Sequence, residues 1–100
     1  VAESKFSSLE WGKVDLNACP SIAVPPPGPI SQDYHKRCTK YFKGLSGQVK
    51  LFPVAFESGK GCEMIDVDGN RYIDFSSGIY VTTLGHCHPK ISEAVAKYAG

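Results

Sequence analysis

The sequence predicts a small α+β unit, and three local patterns carry that prediction. Residues 31–43 and the stretch from Pro89 onward repeat apolar side chains at helical intervals. Between them, two strand-like runs flank an Asp-Gly turn. One hundred residues, 42% hydrophobic and 21% charged, give room for about one small domain with a core.

Ser31 to Lys43 reads as the first helix. Ser31 is an acceptable N-cap, Asp33 falls in the first turn, and Gly44 stands where a left-handed C-terminal cap belongs. Tyr34, Cys38, Tyr41 and Leu45 form one apolar stripe. Lys36, Arg37, Lys40 and Lys43 populate the other face. Such cations suit solvent and the helix dipole, and this reading is preferred to a phosphate site.

Val49 to Phe56, interrupted by Pro53, predicts an edge strand or an extended link. Glu63 to Val67 and Arg71 to Phe75 then flank Asp68-Gly69-Asn70, whose Asp-Gly step supplies the positive dihedrals of a tight hairpin turn. The same acids resemble a calcium loop, but the glycine comes too early and no glutamate follows at the required distance. Ser76-Ser77-Gly78 breaks the second strand, and Ile79 to Gly85 is apolar without clear alternation. Pro89 opens the last helix at its first position, and Ile91, Ala94, Val95 and Tyr98 make its stripe.

Residues 1–30 lack a sustained period. Pro20 and the run Pro25-Pro26-Pro27-Gly28-Pro29 exclude helix interior and central strand and predict a polyproline-like extension. A linker or a tail draped over a surface is expected there, in preference to an SH3 or WW ligand. A short Ser-capped turn from Ser8 to Trp11 is compatible with the residues.

Eleven Lys+Arg against ten Asp+Glu give a formal charge of +1, which argues against a polybasic nucleic-acid arm or a membrane-surface helix. No apolar run approaches the roughly 20 residues of a membrane span, and no charged-then-apolar leader opens the chain. A cytoplasmic protein is the expectation. Cys19, Cys38, Cys62 and Cys87 contain no C-x-x-C pair, so scattered reduced thiols are expected. His86-Cys87-His88 holds two ligand types, but neighbouring side chains diverge and a metal site is disfavoured.

Catalytic strings are missing. The sequence holds no G-x-S-x-G, G-x-G-x-x-G or G-x-x-x-x-G-K-[ST], and Asp66 and Asp74 on strands read as structural. From the residues alone, the chain is a small α+β unit without a complete active site.

Gly61 to Val95 adds a resemblance. The hairpin D-V-D-G-N-R-Y-I-D-F, the S-G-I step, and G-H-C-H-P leading into an amphipathic helix occur in that order. This series resembles the amino-terminal region of the class III (ω-amino acid) pyridoxal-phosphate-dependent aminotransferases, such as 4-aminobutyrate, acetylornithine and ornithine aminotransferases. Pro27-Gly28-Pro29 with Ser31 and the helix after it extend the likeness to about residues 27–100, whereas residues 1–26 match nothing recognisable.

The resemblance implies a place in the small-domain part of a fold-type I transferase. Residues 1–30 would be a Pro-rich extended segment. Residues 31–88 would be the amino-terminal part of the small domain, including the active-site edge. Residues 89–100 would start the helix leading to a large cofactor domain. By the same likeness Ile79 is the substrate-facing side chain after the S-G step, with Tyr80 beside it. Ornithine-using relatives place a Tyr at the Ile79 position; Ile, as in 4-aminobutyrate-type members, favours a less polar amino donor. His86 and His88 would be turn and packing residues.

The family's cofactor, pyridoxal 5'-phosphate, is held by a Schiff-base lysine, a ring-nitrogen aspartate, a phosphate loop and a stacking aromatic, all downstream of this segment. None of Lys50, Lys60, Lys90 or Lys97 has that lysine's context, so no catalytic or cofactor-binding residue is expected here and the chain alone should be inert. The parent would be a homodimer or higher oligomer acting on an amino acid and a 2-oxo acid, without nucleic acid or membrane. A same-family aminomutase, a dialkylglycine decarboxylase and a small binding module are the alternatives. Starting at Val1 and stopping at Gly100 inside a helical pattern, the chain reads as an excerpt of a larger protein.

Overall fold

A three-stranded antiparallel sheet in the order β1-β2-β3 organises the computed structural model, which describes residues 12–41 and 52–100. The strands are β1 (Phe56–Lys60), β2 (Glu63–Asp66) and β3 (Arg71–Ile73). Helix α1 (Pro29–Tyr41) precedes the sheet. A one-turn element, α2 (Ser77–Tyr80), and helix α3 (Pro89–Ala99) follow it. The fold is α+β, as the local patterns predict. Ser8, Trp11, Lys43, Gly44, Leu45 and Val49, for which the sequence carries expectations, lie outside the described residues.

The hairpin between β2 and β3 forms where Asp-Gly predicts it, but its loop holds three residues. Asp66 N–H donates to the Asn70 carbonyl at 3.0 Å, and Gly69 N–H donates back to the Asp66 carbonyl at 3.1 Å. Gly69 alone takes a left-handed φ, +86°, as a three-residue hairpin loop ending on glycine requires. A second hairpin, not expected from the sequence, joins β1 to β2 over Gly61-Cys62. Gly61, with φ +59°, occupies the first central position, where two-residue turns of this kind take glycine. A register shift between Phe56 and Ser58 bends the outer strand.

Helix α1 begins two residues earlier than its sequence signals suggest. Gln32 N–H donates to the Gly28 carbonyl at 2.9 Å, so Pro29 occupies the first helical position, where its missing N–H costs nothing. Ser31 is therefore not the cap. It is fully buried inside the first turn, and its hydroxyl accepts the Ala55 N–H at 3.2 Å, tying the helix to the approach of β1. Asp33 lies beyond the first turn and instead pairs with Arg37 at 3.0 Å across one exposed helical turn.

The segment before α1 drapes over the sheet. Ser21 exchanges backbone bonds with Arg71 at 3.0 and 2.7 Å, which covers the outer edge of β3. Val24 N–H donates to Asn70 Oδ1 at 2.8 Å. The proline run passes straight into α1, whose first residue is Pro29.

The fully buried side chains among the described residues are Asn70, Asp66, Cys19 and Ser31. This centre is polar, so hydrogen bonds rather than apolar packing specify it. Large apolar groups sit outside: Phe75, Tyr80, Val81, Ile91, Val95 and Tyr98 are all exposed. The predicted stripe of α3 exists, but the described residues leave it uncovered.

Candidate functional site

Two carboxylates, Asp66 and Asp74, organise everything around the hairpin. Asp66 is 0% exposed, and its Oδ1 accepts the N–H groups of Asp68 at 2.9 Å and Asn70 at 2.8 Å. Its Oδ2 accepts the Asn70 side-chain amide at 2.9 Å and the Tyr72 hydroxyl at 2.8 Å. Burial pushes this carboxyl up, but the four donors outweigh burial and hold it below the ordinary carboxylate range. Burial and the same contact push the Tyr72 phenol up to about 12, so it stays a donor. The Phe56 and Tyr72 rings meet edge to face at a centroid distance of 5.7 Å.

Asp68 reaches the other way. Its two oxygens accept the N–H groups of Ile30 and Ser31 at 2.8 and 2.9 Å, the positions an N-cap side chain serves. The cap of α1 thus comes from the hairpin loop. Desolvation opposes the charge on Asp68, yet these bonds still lower its pKa.

Asp74 follows β3 and anchors what comes next. Its Oδ1 accepts Ser76 N–H at 2.9 Å, the Ser76 hydroxyl at 3.0 Å and Ser77 N–H at 3.0 Å. Its Oδ2 accepts His86 Nε2–H at 2.7 Å, and an ionised carboxylate fixes that nitrogen as the protonated one. Burial raises the Asp74 pKa, but the bonds from His86 and Ser76 bring it below the ordinary value. The His86 backbone exchanges bonds of 3.0 and 2.8 Å with Gly61, seating the ring beside Gly59. A Cβ on Gly59 would stand 3.0 Å from His86 Cβ, so glycine leaves room for the approach.

The α2 turn held by Asp74 is left-handed. Ser77, Gly78, Ile79 and Tyr80 have φ of 50°, 59°, 66° and 65°. Tyr80 N–H donates to the Ser76 carbonyl and Val81 N–H to Ser77. A left-handed residue other than glycine costs about 1–2 kcal/mol, and a β-branched one is the least suited. Three of these four positions carry side chains, one of them isoleucine. Ile79 is 61% and Tyr80 84% exposed. Both side chains assigned by resemblance to substrate therefore stand together on one strained, outward-facing turn.

Beyond it, an open groove of about 670 Å³ runs between the 81–88 segment and α3, with Leu84, Ile91 and Val95 among its walls. His88 caps α3 by accepting Lys90 N–H on Nδ1 at 3.2 Å. Among the described residues, no three His, Cys, Asp or Glu assemble as metal ligands. The thiols are unpaired: Cys19 is buried, Cys38 is half-buried, and Cys62 and Cys87 are exposed.

Pyridoxal phosphate would need a lysine amine, a carboxylate at its ring nitrogen and a phosphate cradle. Among the described residues, Lys13, Lys36, Lys40, Lys90 and Lys97 stand at exposed positions, and Asp66 and Asp74 are engaged within this chain. These residues do not fit that group by themselves.

The Asp66 network, the Asp68 cap and the Asp74–His86 contact went unread in the sequence, although D-V-D-G-N and G-H-C-H-P marked their places. Among the described residues, no helix is long and apolar enough to cross a membrane.

The sequence profile of the class-III aminotransferases matches residues 45–100. The chain is 47% identical over 60 residues to the acetylornithine aminotransferase of Methanocaldococcus jannaschii, covering 60% of this chain and 14% of that protein. It is 41% identical over 83 residues to the alanine/serine racemase of Pyrococcus horikoshii, covering 83% and 17%. It is 50% identical over 54 residues to the glutamate-1-semialdehyde 2,1-aminomutase of Legionella pneumophila, covering 54% and 12%. The racemase alignment reaches upstream of residue 27, where sequence reading found no likeness. The chain spans no more than 17% of the length of these relatives. A profile matching more than half of it, across the hairpin, α2 and α3, shows that the chain belongs to the class-III aminotransferase family.

Proposed function

We propose that this chain is the amino-terminal, active-site-edge part of a pyridoxal-phosphate-dependent aminotransferase. The complete enzyme moves an amino group from an ω-amino acid of the 4-aminobutyrate or acetylornithine kind to a 2-oxo acid. Its cofactor is bound by residues outside this chain, and the 100-residue chain alone is inactive. Ile79 and Tyr80 contact the amino substrate. The observation that carries this reading is the left-handed α2 turn, which presents both side chains outward within the family-matched segment. Backbone strain of this kind clusters at functional sites.

The wider architecture follows the same reading. Residues 31–88 belong to the small domain of a fold-type I enzyme, residues 1–30 lie across it, and α3 leads toward the large domain. The exposed face of α3 supports burial against the rest of a homodimeric, cytoplasmic protein, because its uncovered apolar stripe needs cover.

A second reading keeps the family and changes the reaction. Relatives similar over this segment are named racemase and aminomutase as well as aminotransferase, which supports a segment that serves more than one outcome. Turnover of the complete protein with and without a 2-oxo acid separates the two. Strict dependence on the 2-oxo acid supports amino transfer. Isomerisation of an amino acid without it, by migration of the amino group or by inversion, supports the second reading and overturns the first.

A further inference from the structure

The Asp74–His86 contact joins two features that the sequence keeps apart. On one side, Asp74 Oδ1 takes the N–H groups of Ser76 and Ser77, where the backbone enters its left-handed turn. On the other, His86 is fixed to the β1–β2 turn by its paired bonds with Gly61 and rests against Gly59. Among the described residues, this carboxylate and imidazole tie the start of α2 to the β1–β2 turn of the sheet.

The left-handed run is not self-supporting. Ser77, Ile79 and Tyr80 would relax to right-handed or extended backbone if released. Relaxation would change the directions in which Ile79 and Tyr80 project from the backbone. Removing the imidazole leaves Asp74 Oδ2 half-buried without its donor and frees the carboxylate to rotate off Ser76 and Ser77.

We propose that Asp74 and His86 are positioning residues that clamp the left-handed Ser77–Tyr80 turn to the sheet and so set where Ile79 and Tyr80 meet the amino substrate. The substrate half of this inference rests on the function proposed above; the clamping half does not.

The test uses the complete protein as wild type and as His86→Phe, which keeps a ring beside Gly59 but removes the N–H donor. Hydrogen–deuterium exchange is followed in peptides covering residues 76–82 and residues 62–73. Steady-state kinetics are measured with the amino donor varied. The clamp predicts at least tenfold faster exchange over 76–82 with 62–73 unchanged. It also predicts a KM for the amino donor raised at least fivefold, with kcat within about twofold. Asp74→Asn, which can regain the contact through the other imidazole tautomer, loses less in both readouts.

Unchanged exchange over 76–82, or an equal rise over both segments, overturns the clamp. Faster exchange with an unchanged KM overturns the substrate half alone. If His86→Phe fails to fold, Asp74→Ala decides, since it removes the carboxylate and leaves the imidazole with its Gly61 backbone bonds in place; unchanged exchange over 76–82 there also overturns the clamp. A wild-type protein that transfers no amino group overturns the proposed function, while the exchange result still decides the clamp.

Discussion

A Cβ on Gly28 would overlap the carboxyl carbon of Asp68, closer than any real contact allows. The two residues are neighbours because Asp68 caps α1 from the hairpin loop, with its oxygens on the N–H groups of Ile30 and Ser31. Gly28→Ala must therefore displace the cap. The variant is expected to melt about 2–5 °C below wild type. Asp68→Ala should lower the midpoint similarly and the double variant little further, since both remove one contact. Additive losses in thermal melts would show that the two residues act separately.

Asp66 accepts four bonds in a fully buried site, so its loss strands several donors at once. Asp66→Ala should cost about 3–5 kcal/mol, against about 1–2 kcal/mol for Tyr72→Phe, which removes one donor and leaves three. Chemical denaturation of the complete protein, or amide exchange at residues 68 and 70, ranks the two. Equal effects would contradict the central place given to Asp66.

Acid should loosen the hairpin. Asp66, Asp68 and Asp74 all bind their protons more weakly in the folded chain than unfolded, because donor groups outweigh the burial of each carboxylate. The unfolded state then holds more protons wherever the two states differ, so stability rises with pH there. The contribution is complete above the unfolded value of about 4 and is lost as pH falls through the folded values. Unfolding between pH 7 and pH 2 should show a flat upper range and a decline below about pH 4. Asp66→Asn should flatten that decline.

Ile79 trades stability for presentation. A β-branched residue at φ 66° with its side chain mostly in solvent gains little from packing. Ile79→Gly should stabilise by about 1 kcal/mol while weakening binding of the amino donor. A raised melting midpoint with a raised KM fits; a lowered midpoint contradicts the assignment of strain.

What the sequence made legible was local. Asp68-Gly69 announced the hairpin and Pro89 announced α3, because backbone dihedrals at those residues are decided by their own chemistry. The start of α1 was misjudged because its cap comes from a residue far along the chain, and no local pattern encodes that bond. Asp74 and His86 each looked ordinary in their own strings, and their pairing depends on the β1–β2 turn meeting the segment after α2. The left-handed turn was hidden for a similar reason. Nothing in Ile79-Tyr80-Val81 favours positive φ, so the surrounding contacts impose it. The resemblance to a family named two side chains for the candidate site, but not the backbone strain at both of them.

In the function proposed above, this segment forms the substrate edge of an amino-transferring enzyme, with Ile79 facing the donor. Its most direct test supplies the complete protein with a ¹⁵N-labelled ω-amino acid and an unlabelled 2-oxo acid, and follows the label. The account predicts label in the newly formed 2-amino acid, and an Ile79→Tyr variant that shifts preference about tenfold toward donors with an added polar group. Label that never leaves the donor, or a preference indifferent to residue 79, would contradict it.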